Sequence, residues 1–228
     1  MKADLSHVSA DKTIMFCVHG PLFKTQDSFG SSRTNHEKYK EVLSGFKQVH
    51  SWAGHLHSNY NYVYKKDDTI SHLESHVVTR ATGGLYTNSV INDDGSPRGY
   101  VVVEVDGDDV LWYFQPCDAD QPSEFRAYSP EISSDGTVQA NVWGHDSKWK
   151  VEWIEPSGKS VDMSQFKGID YTFKLMVEEM KKINPKQTFG TGETEHLFRA
   201  TPTEGVKSGI VRVTDRFGRV YEQSLAWN

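Results

Sequence analysis

From Tyr60 to Ala226 the sequence is cut by turn signals at the spacing of roughly 8–12 residues that marks all-β architectures, and this constrains the fold more than any other feature. Tyr60, Tyr62 and Tyr64 alternate with polar positions, and Val77-Val78 runs toward Gly83-Gly84. The stretches Gly99 to Val105 and Val110 to Phe114 flank Asp106-Gly107-Asp108-Asp109, a strong hairpin signal. Asn92-Asp93-Asp94-Gly95 and Ser134-Asp135-Gly136 read as further turns. Strands are expected near 137–143, 149–155, 195–200, 208–214 and 219–226. Short strands in this rhythm predict a β-sandwich. A helix interrupts them at about Tyr171–Ile183, where Phe173, Leu175, Met176, Val177 and Met180 form an apolar face opposite Glu178, Glu179, Lys181 and Lys182. Such a stripe predicts a helix packed on a sheet rather than one reserved for a partner.

The first fifty-odd residues follow a different grammar. Residues 1–10 read as the tail of a helix, with Leu5 and Val8 on one face. The run Thr13-Ile14-Met15-Phe16-Cys17-Val18 has the length of a strand buried on both faces, and Gly20-Pro21 ends it. A polar loop with Ser28, Gly30, Ser31, Ser32 and Thr34 follows, and Asn35 is placed to cap a helix from His36 to Phe46. That helix would present Tyr39, Val42, Leu43 and Phe46 on its apolar face. A second strand, Gln48 to Ala53, stops at Gly54, so strand, helix and strand make one α/β unit. The fold class expected is α+β, with residues 1–115 as a first domain and 116–228 as an Ig-like β-sandwich. The boundary is drawn at the composition shift from Pro116 to Pro122.

Composition narrows the function classes. A net charge of -6 and a pI near 5.9 argue against a protein built to grip nucleic-acid backbones. No stretch approaches the ~20 apolar residues that span a bilayer, and Met1 to His7 lacks a signal peptide's apolar core. The two cysteines make no disulfide framework, and Cys17, within an apolar strand, is expected to be a small buried residue.

Histidine carries the chemistry. His19 stands at the end of the first strand in Val18-His19-Gly20-Pro21-Leu22-Phe23, and His55 and His57 stand just past the second in Gly54-His55-Leu56-His57. Ligands of open α/β sheets bind outside the carboxyl ends of strands, so two neighbouring tips can bring these imidazoles together. An extended Gly-His-x-His would send both rings to one face, with Gly54 allowing close approach. Neutral imidazole binds zinc, iron and related ions. His72, Glu74 and His76 also alternate, but without a glycine loop or strand end they read as sheet-surface residues. The Asp-rich turns lack a twelve-residue calcium pattern, and Gly190-Thr191-Gly192 lacks the setting of a phosphate cradle. Trp143, Trp149 and Trp153 are expected to fill a core rather than stack on sugars.

The segments Val18 to Phe23 and Gly54 to His57 resemble the last two metal-binding motifs of calcineurin-like metallophosphoesterases. The resemblance continues through Gly83-Gly84-Leu85-Tyr86, Asp94 to Tyr100, Val105-Asp106-Gly107, Leu111-Trp112-Tyr113 and Phe125-Arg126-Ala127-Tyr128. It extends over Asn141-Val142-Trp143, Trp149-Lys150-Val151, His196 to Ala200 and Val213 to Gly218. It implies that the first domain is the C-terminal half of a phosphoesterase domain. His19 and His55 would hold one metal and His57 another, in a dinuclear centre of iron, zinc or manganese type. Two metals ~3.5–4 Å apart would clamp a phosphoester's oxygens and activate water for in-line attack. The family's Asp-x-His, Gly-Asp-x-x-Asp and Gly-Asn-His motifs are not among the eighteen residues before His19. The expectation is therefore a truncated chain, with Met1 an internal methionine used as a start, inactive alone and binding one metal or none. An exposed sheet edge would invite a homodimer. Relatives of this architecture resemble exported envelope proteins, whereas this sequence carries no address. Two rival readings stand beside this one. One is a non-catalytic sandwich module with vestigial histidines; the other is a mononuclear zinc site of His19, His55 and His57.

Overall fold

A computed structural model describes residues 1–23, 36–64, 72–82, 91–189 and 192–228. The expected cap Asn35, the Gly83-Gly84-Leu85-Tyr86 segment and Gly190-Thr191 lie outside the described residues. The first part contains α1 (Lys2–Leu5), β1 (Thr13–Val18), α2 (His36–Leu43), β2 (Gln48–Ala53), β3 (Tyr60–Val63) and β4 (Leu73–Val77). The hairpin β5 (Gly99–Asp106) and β6 (Asp109–Pro116) comes next. Then follow β7 (Phe125–Tyr128), α3 (Pro130–Ser133), β8 (Val138–Val142), β9 (Lys150–Ile154), β10 (Ser160–Asp162) and β11 (Ser164–Ile169). The chain closes with α4 (Tyr171–Ile183), β12 (Glu193–Ala200), β13 (Ser208–Thr214) and β14 (Val220–Ala226). The protein is mostly β.

The first sheet has the order β1-β2-β4-β3, with β1, β2 and β4 parallel and β3 antiparallel. Successive side chains of a strand point to opposite faces, and here both faces are covered. On one, Val49, Leu73 and Tyr62 pack with Phe23, Leu43 and Phe46. On the other, Trp52 meets Val110 and Trp112 of the hairpin, with Met15 and Phe217 packed alongside. β1 is the edge strand, so its burial is only partial, and Cys17 on the hairpin side is exposed instead of buried. Both cysteines are free. α2 ends at Leu43, three residues short of the predicted stop, yet Phe46 still reaches the core through the turn that follows.

Two antiparallel four-stranded sheets, β10-β9-β13-β14 and β11-β12-β8-β7, share one core. Val138, Ala140, Val142 and Phe198 come from one sheet, and Val151, Trp153, Val211 and Val213 from the other, in the face-to-face packing of a sandwich. Trp143, Trp149 and Trp153 are buried, as expected. The Asp-Gly signal forms the β5–β6 turn, with Asp106 opposite Asp109 and Gly107 at φ 60°. α4 keeps its predicted bounds because the Asp170 carboxylate accepts the Phe173 N–H at 2.9 Å and so caps the helix. Its apolar stripe is covered less than expected: Phe173 is buried, and Leu175 stays 42% exposed.

Glu124 joins the hairpin to the sandwich from an interior position. Its Oε1 accepts the Phe114 N–H at 2.7 Å, and its Oε2 has no partner among the described residues. Burial pushes its carboxyl up to about 8 from an ordinary 4.5. Gly144 faces it, where a Cβ would lie 2.0 Å from Oε2.

Candidate functional site

Parallel pairing sets the site. β1 and β2 run in register to Val18 opposite Ala53, so His19 and Gly54 leave the sheet side by side, and the Gly54 N–H donates to the His19 carbonyl at 2.9 Å. The His19 Nε2 and His55 Nδ1 atoms lie 3.1 Å apart, one donating to the other, with ring centroids 5.0 Å apart and planes at 76°. Both rings are exposed. The structure thus brings two of the three expected ligands together at neighbouring strand tips.

His57 stands in the same loop and is half-buried. Burial first, then the positive charge of Arg80, lowers its imidazole below the ordinary value, opposed by Asp93; the other two site histidines lower it further. A neutral ring near neutral pH keeps a lone pair available for a cation. The loop is not extended. His55 has φ 72° and His57 φ 59°, and the Leu56 N–H donates to the Gly54 carbonyl at 2.9 Å, closing a three-residue turn on His55. With positive φ at its centre this is the rare, strained γ-turn, and left-handed non-glycine residues cost about 1–3 kcal/mol each unless their surroundings hold them. Gly54, by contrast, has room for a side chain, since a Cβ there would lie 3.8 Å from the nearest atom. Strain therefore falls on the two histidines, and the glycine is not the residue making the close approach.

Several bonds hold the loop from outside. The Asp93 N–H donates to the His57 carbonyl at 3.3 Å. Asn59, buried two residues beyond His57, donates its N–H to Asp94 Oδ2 at 2.7 Å and accepts the Thr79 N–H on its side chain at 3.2 Å. Asp94 also accepts from the Ser96 hydroxyl at 2.6 Å and from His196 Nε2 at 3.2 Å. Burial alone would raise the Asp94 carboxyl, but hydrogen bonds from His196, Ser96 and the Asn59 amide outweigh it and hold it below the usual carboxylate range.

A second polar cluster lies inside the molecule. The donor atoms of His50, Glu74 and His76 fall within 4.8 Å of one another, a spacing that admits one metal ion. Glu74 and His76 are buried, 9% and 1% exposed, which corrects their reading as sheet-surface residues. β4 is a central strand, and Trp112 with the Arg216-Phe217 segment covers the polar face. His76 stacks on Trp52 at 4.0 Å, and its Nδ1 meets Asn61 Oδ1 at 2.7 Å. His50 Nδ1 and His76 Nε2 share a hydrogen bond of 3.1 Å. Cations already stand here: Arg216 reaches Glu74 at 2.6 Å and Asp146 at 2.8 Å, and Lys148 lies 3.5 Å from Glu74. Burial, chiefly, with Arg216 adding to it, depresses both imidazoles, His76 to well below its ordinary value. The field that disfavours a proton on these rings also opposes a dication.

Sequence reasoning singled out His19, His55 and His57 from their glycine-flanked strand ends. It gave no role to His50, Asp94 or His196, because nothing local marks a residue whose partner lies dozens of positions away.

No curated protein and no solved structure matches the chain. The family model for the C terminal of calcineurin-like phosphoesterase matches residues 76–221, from within β4 to the start of β14. That is more than half of the chain and takes in Asp94, Glu124 and His196; the three strand-tip histidines precede it. On this match the chain belongs to the calcineurin-like phosphoesterases, through their C-terminal region.

Proposed function

We propose that this chain supplies His19, His55 and His57 to a divalent-metal centre that hydrolyses phosphoesters, and that the 228 residues alone do not turn over substrate. The contact that carries the reading is His19 Nε2 at 3.1 Å from His55 Nδ1, at two parallel strand tips. Two imidazole nitrogens at that separation fit one ion of zinc or iron size, for which metal–nitrogen bonds are about 2.0–2.1 Å. His57, kept neutral by burial and Arg80, is suited to a second ion. When bound, such ions supply Lewis acidity toward a phosphoryl oxygen and a nucleophile at neutral pH. The residues of this chain hold and orient: the strand tips fix His19 and His55, and the strained loop presents His57.

Three imidazoles bring no anionic charge, and two adjacent dications need it between them. The motifs Asp-x-His, Gly-Asp-x-x-Asp and Gly-Asn-His do not occur in the sequence. The carboxylates of a working centre would thus come from outside these residues, and β1, which ends its sheet among the described residues, is the place for a further strand, from another chain or a second copy. We also assign residues 1–115 to the phosphoesterase unit and 116–228 to an Ig-like sandwich.

Metal titration and turnover test the reading together. Zinc binding measured by calorimetry should be lost in a His55→Ala variant, and bis(p-nitrophenyl) phosphate should not be hydrolysed above a metal-only blank. Binding indifferent to His19, His55 and His57 would favour the non-catalytic module. One zinc per chain, lost in His57→Ala, would favour the mononuclear site. Metal-dependent turnover by the pure chain would refute inactivity.

A further inference from the structure

We propose that Asp94 and His196 are positioning residues that lock the Gly54–Asn59 loop in its left-handed form, so that the sandwich helps to present His55 and His57. The inference rests on the reading of those histidines as ligands. It concerns different atoms, and its first test needs no metal.

Departures into positive φ at His55 and His57, on either side of Leu56, persist only if the surroundings over-determine them. The Asp94 carboxylate is the external clamp. Its Oδ2 takes the Asn59 N–H at 2.7 Å, while its neighbour Asp93 donates to the His57 carbonyl, so one short turn grips the loop on either side of Ser58. That turn is itself fixed by the sandwich. Asn141 on β8 donates from Nδ2 to the Asp94 carbonyl at 2.8 Å and to Asp170 Oδ2 at 2.9 Å. Its Oδ1 is thereby directed to His196 Nδ1 at 2.7 Å, so His196 donates there. The other nitrogen of His196 faces Asp94 Oδ2, the oxygen that holds Asn59. The Asp94 carboxylate is an anionic acceptor, which makes its contact with His196 a charge-assisted bond, stronger than a neutral one. Asp94 is 1% and His196 6% exposed, so water does not compete for these bonds. A continuous path therefore runs from β8 and β12 through Asp94 to the residue two positions past His57.

Amide hydrogen exchange on the whole chain is the direct test. In His196→Ala, exchange at Gly54, Leu56 and Asn59 should quicken on the order of tenfold or more, as expected for a released local segment, while core amides of β9 and β13 stay protected. His196→Gln, whose amide can donate to the same carboxylate, should restore much of the protection. A merely structural role for His196 would instead loosen the sandwich core and the loop together. If His196→Ala fails to fold, Asp94→Asn, which leaves the sandwich core untouched, decides the matter through the same amides. Unchanged exchange at 54–59 in both variants overturns the proposal. Cobalt(II) absorption is the second readout: a histidine-dependent band present in the wild type should weaken in His196→Ala and recover in His196→Gln. A wild type without such a band sinks the metal reading, and the exchange result still decides the positioning role.

Discussion

Glu124 offers the sharpest quantitative prediction. Its carboxyl is held near pH 8 by burial, whereas in the unfolded chain it titrates at its ordinary 4.5. Between those values the folded state binds a proton that the unfolded state has released, so stability falls as pH rises. The contribution is whole below 4.5, declines by about 1.4 kcal/mol per pH unit, and levels off above 8. The worked loss is about 3 kcal/mol at pH 7 and about 5 kcal/mol above pH 8. Glu124→Gln keeps the oxygen that accepts from Phe114 and removes the titration. Urea unfolding of both proteins at pH 5, 7 and 9 should give closely matched stabilities at the lowest pH. The variant should then be progressively more stable, by several kcal/mol at the highest. Parallel curves for the two proteins would refute the account, because any other titrating group affects both alike.

Three further outcomes follow from the same packing. Glu74→Gln leaves Arg216 with a weakened partner in a site where its side chain is 8% exposed, and removing one member of a buried pair typically costs about 3–5 kcal/mol, readable by chemical denaturation. His50 and His76 have depressed folded pKa values, so their contribution is present above the unfolded value of 6.5 and is lost as pH falls below it. His76→Gln should flatten that acid slope in the urea midpoint, and an unchanged slope would show that these rings do not set it. Gly209→Ala places a Cβ 2.4 Å from the Trp153 ring and 2.5 Å from the Ile154 carbonyl, an overpacking expected to destabilise by about 1–3 kcal/mol in a thermal melt.

Much of the fold was legible because local chemistry and tertiary structure agree. β1 and β2 end at glycine-flanked histidines, the β5–β6 hairpin follows its Asp-Gly turn, and α4 begins at a genuine carboxylate cap. The pairing of His19 with His55 followed from adjacent parallel strand tips. What failed to show did so for physical reasons. Alternating polar residues on β4 look solvent-facing until Arg216, 142 positions away, neutralises Glu74 and Trp112 covers the strand. Cys17 looks interior because its neighbours are apolar, and only strand order reveals the edge. The left-handed turns at His55 and His57 contradict the preference of their residue type, so propensity pointed to an extended segment.

The tryptophan and histidine stack beneath the hairpin has a practical consequence for cutting this protein into pieces. The region matched by the family model opens at residue 76, inside a strand whose neighbour carries His50 and Trp52. An excised polypeptide covering only that region would shed the indole lying 4.0 Å from His76 and leave Trp112 with a bare flank. The borders of shared ancestry and of cooperative folding therefore differ here, and a soluble fragment should be designed to begin upstream of β1.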